Sequence, residues 1–288
     1  MKISIITVTL NSEKTLRDTL NSVFSQSFKN IEHIIVDGGS NDKTLDILKK
    51  YPNKKKKIFI KKNFGIYKSI NYAILNSSGK YICILNSDDI FQCNDTIKNL
   101  VKEIIKSKKT QIFLGNVAYF DNSDYYKISR FYSAKDFKDW KMKFGLMPPH
   151  PASLIRRDVY KNHGLYKENF KIAADFELFL RFFIIKKINF KILKSTIVRM
   201  RSGGISGKNI KSYWISTIEI LKSFQINNLR SNIIFIIMRI PAKLSQLFIY
   251  NKHKINKNFR LFKFIFDQEY YKQNSFKIID NVNKIPFK

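Results

Sequence analysis

Residues 3–10 form an unbroken apolar and β-branched run that stops at Asn11-Ser12, the pattern of a strand buried on both faces. Leu16, Leu20, Val23 and Phe24 then recur at helical spacing. A second apolar run, Ile34-Ile35-Val36, ends at Asp37-Gly38-Gly39-Ser40-Asn41-Asp42. The pattern next predicts a helix over 43–51, a strand over 57–61 and a helix over 67–76. A turn at Ser77-Ser78-Gly79 leads into a fourth strand over 81–85. Strands and helices alternating in this way predict βαβ units, and therefore an α/β fold with a mostly parallel sheet.

In such sheets ligands bind beyond the carboxyl ends of the strands. Three polar strand ends, Thr9-Leu10-Asn11, Asp37-Gly38-Gly39-Ser40 and Asn86-Ser87-Asp88-Asp89, should therefore converge on one cleft that takes a small molecule. Further on, the pattern predicts a helix over 96–106, a strand over 111–120 and a mixed segment up to Pro148-Pro149-His150-Pro151. An apolar helix over 173–185 carries Asp175 and Glu177 near its start. A strand over 189–193 and a polar loop over 201–207 complete the expected globular part, residues 1–206. Residues 207–288 read as a basic, helical C-terminal extension.

Composition narrows the function classes. With 44% hydrophobic and 14% aromatic residues, the chain can bury a core and is not an acidic, solvating disordered protein. Two cysteines, Cys83 and Cys93, exclude a disulfide scaffold or a thiolate zinc site and suit a reducing cytoplasm. They read as a buried strand residue and a loop residue. No apolar run reaches the roughly 18 residues of a membrane span. The short run at the start lacks a cleavage signal and reads as the first strand. A cytoplasmic location is expected.

Lys and Arg number 53 against 22 Asp and Glu, a net charge of +31. Residues 206–288 hold 15 of the bases and 4 of the acids, so the excess is spread along the chain. A compositional bias toward Lys, Asn and Ile explains it as well as a functional cause does. The functional causes are a phosphate-rich small substrate, an anionic membrane surface or nucleic acid. Lys54-Lys55-Lys56-Lys57 reads as a solvated loop.

Asp88 and Asp89 are paired carboxylates at a strand end. They suit Mg²⁺ or Mn²⁺, which completes its shell with water and substrate phosphates; the bland alternative is a loop pair capping the next helix. Their place in register with the other strand ends favours the cation. His150 has four readings: a contact to the metal, to a pyrophosphate or to an acceptor, or a structural ring. Arg199 and Arg201, beside Gly203-Gly204, are either a pyrophosphate clamp or a solvated basic loop.

These residues together carry a resemblance. Ser4-Ile5-Ile6-Thr7-Val8-Thr9-Leu10-Asn11, Val36-Asp37-Gly38-Gly39-Ser40-Asn41-Asp42-Lys43-Thr44 and Leu85-Asn86-Ser87-Asp88-Asp89 resemble a family 2 glycosyltransferase of the GT-A fold. Gly65-Ile66-Tyr67 with Asn71, His150-Pro151-Ala152-Ser153 and Ala173-Ala174-Asp175-Phe176-Glu177-Leu178 are similar to bacterial surface-polysaccharide enzymes of the colanic-acid type. The similarity covers residues 1–206. It implies an inverting transfer from a nucleotide-diphosphate sugar to a glycan or lipid-linked acceptor.

In that comparison Asp88 and Asp89 match the metal and ribose carboxylates, with Asn86 where many members have the first Asp. Thr7, Thr9, Asp37 and Asn71 fall among donor-binding positions, together with Asp88, Arg199 and Arg201, and Asp88, Asp89 and His150 form the expected metal set. Asp175 holds the place of the general base, which must take the acceptor hydroxyl's proton; Glu177 is the second choice, and an N-terminal helix carboxylate is the structural alternative. Leu10 replaces a frequent base-stacking Tyr, Gly38 a frequent second Asp, and Asn63 and Lys68 stand where close relatives carry acids.

Two other functions compete. A nucleotidyltransferase acting on sugar phosphates needs a Gly-rich, basic phosphate loop after the first strand, and Thr9-Leu10-Asn11-Ser12-Glu13 does not supply one. A nucleic-acid-binding protein needs basic and aromatic residues on one face, whereas the acids here gather at strand ends, so no nucleic-acid partner is expected. The extension suggests a different surface. Ile233-Ile234-Phe235-Ile236-Ile237-Met238 is apolar but too short to span, and Leu244, Leu247 and Phe248 follow among Lys243, Lys252, Lys254, Lys257 and Arg260. That pattern fits an interfacial helix on the inner face of the cytoplasmic membrane, or equally a helix packed on the catalytic domain or on a second subunit.

Overall fold

Every residue of strands β1 (Ile3–Thr9), β2 (Ile31–Asp37) and β4 (Tyr81–Ile84) is buried, because both faces of this part of the sheet are covered. The computed structural model describes residues 1–120, 128–202, 210–237 and 239. Its single sheet of nine strands runs in the order β3-β2-β1-β4-β8-β6-β9-β5, with β7 on β6. The first four strands are parallel, β3 being Lys56–Ile60. Strand β8 (Ser153–Arg156) then runs antiparallel between β4 and β6 (Ile112–Phe120).

Helix α3 (Ile66–Leu75) covers one face, packing Tyr67, Ile70, Ala73 and Ile74 against Ile6, Val8, Ile34 and Val36. On the other face, Val23 of α1 (Leu16–Phe24) and Ile97, Leu100 and Ile104 of α4 (Thr96–Lys106) meet Ile3 and Ile5. A smaller cluster joins α1 to α2 (Thr44–Lys50) through Leu16, Leu20, Ile47 and Leu48. The chain winds from β1 out to β3 and then returns to the far side of β1 with β4. The gap beyond β1 and β4 is thus the point where strand order reverses, the place such sheets bind ligands.

The second half departs from the pattern read off the sequence. Strand β9 (Phe190–Arg201) is twelve residues long and includes Arg199 and Arg201, which the sequence placed at a loop. Short strands β5 (Ile90–Phe91) and β7 (Ile128–Tyr132), β8, and helix α5 (Arg157–His163) complete it. Helix α6 (Ala174–Leu180) passes into a π turn over Arg181–Ile185.

The expected boundary at residue 206 does not divide two cores. Helix α7 (Ile210–Ile226) buries Ile220 and Phe224 in the same cluster as Phe176 and Phe179 of α6, and Ile236 of α8 (Ile233–Ile237) joins them. Among the described residues no helix is long and apolar enough to cross a membrane. The Gly203-Gly204 loop and the basic stretch after Arg239 lie outside the described residues.

Candidate active site

The ends of β1 and β2 lie side by side, with Thr9 paired to Asp37. Asp37 is fully buried and builds the rim: one carboxylate oxygen accepts from the backbone N–H groups of Gly39 and Ser40 at 2.9 and 2.8 Å, and the other from the Ser40 hydroxyl at 2.6 Å. Asn11, in the left-handed region at φ 50°, ties the two ends together by accepting from the Asn41 N–H at 3.0 Å. Thr7 shares a hydrogen bond of 3.0 Å with the His33 ring, whose other nitrogen meets Tyr51 at 3.1 Å. Burial holds His33 down at about 3, so the ring is neutral. Thr7 is therefore sealed within the sheet rather than presented to a donor. Thr9 differs: its buried hydroxyl has no hydrogen-bond partner among the described residues, an arrangement that favours a ligand contact.

Helix α1 and the loop before it clasp the end of β4. Thr15 and Thr19 donate to the carbonyls of Ser87 and Asp89 at 2.9 and 2.8 Å, and the hydroxyls of Ser12 and Ser87 meet at 2.9 Å. Asp88 is half-buried, while Asp89 is fully enclosed. Asn86 donates to one Asp89 oxygen at 3.0 Å; the other, Oδ1, has no partner among the described residues. Burial and the neighbouring Asp88 charge push the Asp89 carboxyl well above its ordinary range, against the pull of Asn86 and Arg201. A buried oxygen without a donor, beside a second carboxylate, is the environment a hard cation relieves.

Arg199 and Arg201 flank this pair from β9. Two residues apart on one strand face, their guanidinium carbons lie 5.3 and 5.1 Å from the Phe120 ring centre. Arg201 pairs with Asp18 of α1. Arg199 is fully buried and Arg201 nearly so, which excludes the solvated-loop reading.

Asp175 occupies the first turn of α6, half-buried, and accepts from the Phe176 N–H at 2.8 Å. Burial, with the Asp175 charge adding to it, raises the phenols of Tyr67, Tyr132 and Tyr166 above their ordinary range. Tyr119 is raised by burial and by Asp89. Arg130 lies between, its guanidinium carbon 5.0 Å from the Tyr119 ring and 5.9 Å from that of Tyr132. The charge of Asp89 thus acts on Tyr119 and that of Asp175 on Tyr132, and the Arg130 guanidinium lies against both rings.

Two expected site residues take other positions. Asn71 is buried; its amide donates to the Tyr166 carbonyl at 2.9 Å and to Glu168 at 3.0 Å, and its oxygen accepts from the Tyr166 N–H at 3.0 Å. All its hydrogen-bonding groups serve the 166–168 turn, so it is a structural tie and not a donor ligand. His150 meets the Tyr166 hydroxyl at 2.5 Å and packs against Phe179 at 5.5 Å. Burial holds it down at about 4. Among the described residues no three His, Cys, Asp or Glu side chains gather as a metal set, so His150 does not complete one with Asp88 and Asp89. It instead supports Tyr166, one of the phenols beside Asp175.

The sequence model of Glycosyl transferase family 2 matches residues 4–164, more than half of the chain. The chain belongs to this family. That membership favours the glycosyltransferase reading over a nucleotidyltransferase or a nucleic-acid-binding protein. A bifunctional glycosyltransferase, pgtA, of Dictyostelium discoideum is 30% identical over 240 residues, 69% of this chain and 31% of the relative. An uncharacterized glycosyltransferase of Rickettsia typhi is 27% identical over 65% of this chain and 60% of its own length. The chain thus spans about a third and three-fifths of these two relatives.

Solved structures share this fold. TarS 1-349 of S. aureus in complex with UDP-GlcNAc has a TM-score of 0.61 at 23% identity, over 78% of this chain and 66% of that one. The mannosyltransferase PcManGT from Pyrobaculum calidifontis, in complex with GDP-Man and Mn²⁺, has a TM-score of 0.54 at 15% identity, over 80% and 66%. The fold is of the GT-A type. For this family 2 chain, sequence reasoning had not marked Tyr119, Arg130, Tyr132 and Tyr166. Arg130, Tyr132 and Tyr166 stand on a short strand and a turn, and Tyr119 near the end of the long β6, where pairing rather than local periodicity decides which way a side chain faces.

Proposed function

We propose that the chain transfers a sugar, with inversion, from a nucleoside-diphosphate donor to an acceptor hydroxyl, and that Asp175 is the general base. In support, Asp175 stands half-buried in the first turn of α6, its charge acts on Tyr132 as that of Asp89 acts on Tyr119, and Arg130 lies against both rings. A donor whose diphosphate lies at Asp88 and Asp89 would set its anomeric carbon toward Asp175. There the carboxylate takes the acceptor's proton as the hydroxyl attacks from the face opposite the leaving diphosphate. Inversion is a single displacement and needs one base, so Glu177 has no chemical part to play.

The residues present fit a divalent cation. Asp88 and Asp89 would hold Mg²⁺ or Mn²⁺, which would neutralise charge growing on the departing diphosphate. Water and phosphate oxygens would complete the shell. Thr9, whose hydroxyl lacks a partner among the described residues, would meet the nucleoside end. Leu10, exposed beside Gly38, offers that end an apolar contact and no carboxylate, so no preference for uracil follows from these positions. Arg130 offers a half-buried guanidinium for the donor's negative charge.

The acceptor we assign is a glycan or lipid-linked glycan, as in bacterial surface polysaccharide assembly. In support, Trp214 and Ile218 of α7 and Ile233 and Ile234 of α8 are exposed, and residues 240–288 carry ten Lys and Arg against three acids. Apolar burial and attraction to anionic lipid would act together there, on the inner face of the cytoplasmic membrane. Transfer is tested by release of nucleoside diphosphate from UDP- and GDP-sugars with Mn²⁺. The wild type should release it, and Asp175→Asn should lose roughly a hundredfold or more of the rate. Equal rates would reject Asp175 as the base.

A further inference from the structure

Resting on the reading of Asp175 as the base, we propose that Glu219 of α7 is the positioning residue that holds Asp175 in place. Its carboxylate accepts from three consecutive backbone N–H groups, those of Lys171, Ile172 and Ala173, at 2.6, 2.9 and 2.8 Å. These are the residues that lead into Asp175. On the same segment, Tyr67 donates to the Ile172 carbonyl at 2.5 Å and accepts from the Ala174 N–H at 3.3 Å. The backbone from 171 to 174 is thus gripped by two side chains from other elements.

The reason lies in the start of α6. The first N–H groups of a helix have no partner within it, and a nearby Ser, Thr, Asp or Asn usually supplies one. Here the capping position is Ala173, and no local side chain caps the helix. Two of those N–H groups are met separately, Ala174 by the Tyr67 hydroxyl and Phe176 by Asp175 itself; the carboxylate of Glu219, 46 residues beyond Ala173, holds the N–H groups just before them, those of 171–173. Hydrogen bonds to an ionised acceptor are the stronger kind, and Glu219 is 9% exposed, so water does little to weaken them.

Helix α7 is itself a firm support. Ile220 and Phe224 lie in the main core. Asn227 donates to Glu177 at 3.1 Å, and buried Arg239 donates to the Thr217 hydroxyl at 2.7 Å. A local cap would fix only the helix, whereas Glu219 fixes the base relative to the C-terminal half of the chain. Reacting groups tolerate little displacement: a misplacement of about 1 Å costs on the order of a hundredfold in rate.

The test uses the full chain and the UDP- or GDP-sugar it hydrolyses fastest with Mn²⁺, scored by nucleoside diphosphate release. Glu219→Gln keeps the shape but turns an amide N–H toward backbone donors. We expect kcat to fall on the order of a hundredfold, with the donor KM within about twofold because binding is untouched. Amide exchange at 171–173 should rise. In an Asp175→Asn background the second substitution should lower kcat no further, since it acts through the base.

An unchanged kcat, a KM that rises as kcat falls, or independent losses in the double variant would overturn the proposal. The two assignments fail separately. Full turnover in Asp175→Asn removes the base, whereas unchanged exchange at 171–173 in Glu219→Gln removes the clamp whatever Asp175 does. If Glu219→Gln does not fold, Glu219→Asp, which keeps the charge and shortens the reach, is judged by the same readouts and the same outcomes.

Discussion

Glu177 and Arg181, one helical turn apart, form a two-pronged ion pair at 3.0 and 2.9 Å inside the core. Asn227 of α7 donates to the same carboxylate at 3.1 Å, and Glu177 is fully buried. Asp175, two residues earlier, is only half-buried, and its charge helps raise the phenols of Tyr132 and Tyr166. Helical geometry separates the two acids by about 200° around the axis, and the packing of α6 on α7 decides which one is inside.

The two substitutions should therefore part company. Asp175→Asn should fold normally and lose turnover. Glu177→Gln breaks a buried pair and should lower stability by about 3 kcal/mol, while the folded fraction keeps most of its kcat. Denaturant melts and nucleoside diphosphate release on the same preparations check both. A stable, inactive Glu177→Gln would reverse the assignment.

Asn71→Ala should act on stability alone. Removing a buried amide leaves the backbone of Tyr166 without its partners, at a cost of about 2 kcal/mol. Donor affinity measured by calorimetry should stay within about twofold, because both amide N–H groups of Asn71 are already taken and its oxygen is buried on the Tyr166 backbone. A selective loss of nucleotide binding would restore it to the donor site.

Glu32 sets an acid limit on the fold. Burial raises its carboxyl, but hydrogen bonds from Ser4, the N–H and hydroxyl of Ser78, and the Gly79 N–H outweigh that and hold it at about 2, below its ordinary 4.5. Lys2 and Lys57 stand 3.7 and 3.4 Å away. A depressed carboxyl stabilises the fold above its unfolded value and loses that contribution as pH falls through the folded one. Between pH 4.5 and about 2, the wild type should lose stability more steeply than Glu32→Gln. At neutral pH the variant should be weaker by on the order of 2 kcal/mol. Parallel pH dependences in the two proteins would contradict this.

Vesicle co-sedimentation tests the membrane role. The full chain should pellet with anionic but not neutral vesicles, and high salt should release it. Removal of residues 240–288 should abolish pelleting while leaving nucleotide binding intact. Equal pelleting of both forms would assign the basic stretch to packing instead.

The first half of the fold was legible because short apolar runs alternate with helical spacing and turn residues close the strand ends. The helix over 96–106 matches α4 at both ends. Strand β5 is two residues long, and β7 and β8 are set by their antiparallel partners, so local periodicity carries little trace of them. Arg199 and Arg201 looked like loop residues because they are charged. Both lie against Phe120, and Arg201 pairs with Asp18, 183 positions away.

The same limit applied to the site. Asp88, Asp89 and Asp175 stood out by motif. The roles of Asn71 and His150 turned on their contacts with the 166–168 turn, and that of Glu219 on a bond across 46 residues. Such pairings are tertiary, and no spacing along the chain announces them.

In the proposed function, Asp88 and Asp89 bind a nucleoside-diphosphate sugar through a divalent cation. Calorimetric titration of UDP- and GDP-sugars, with and without Mn²⁺, into the wild type and Asp89→Asn tests it most directly. Binding should require the cation and disappear in Asp89→Asn while the melting profile stays cooperative. Binding that is equal in both proteins, or indifferent to Mn²⁺, would contradict it.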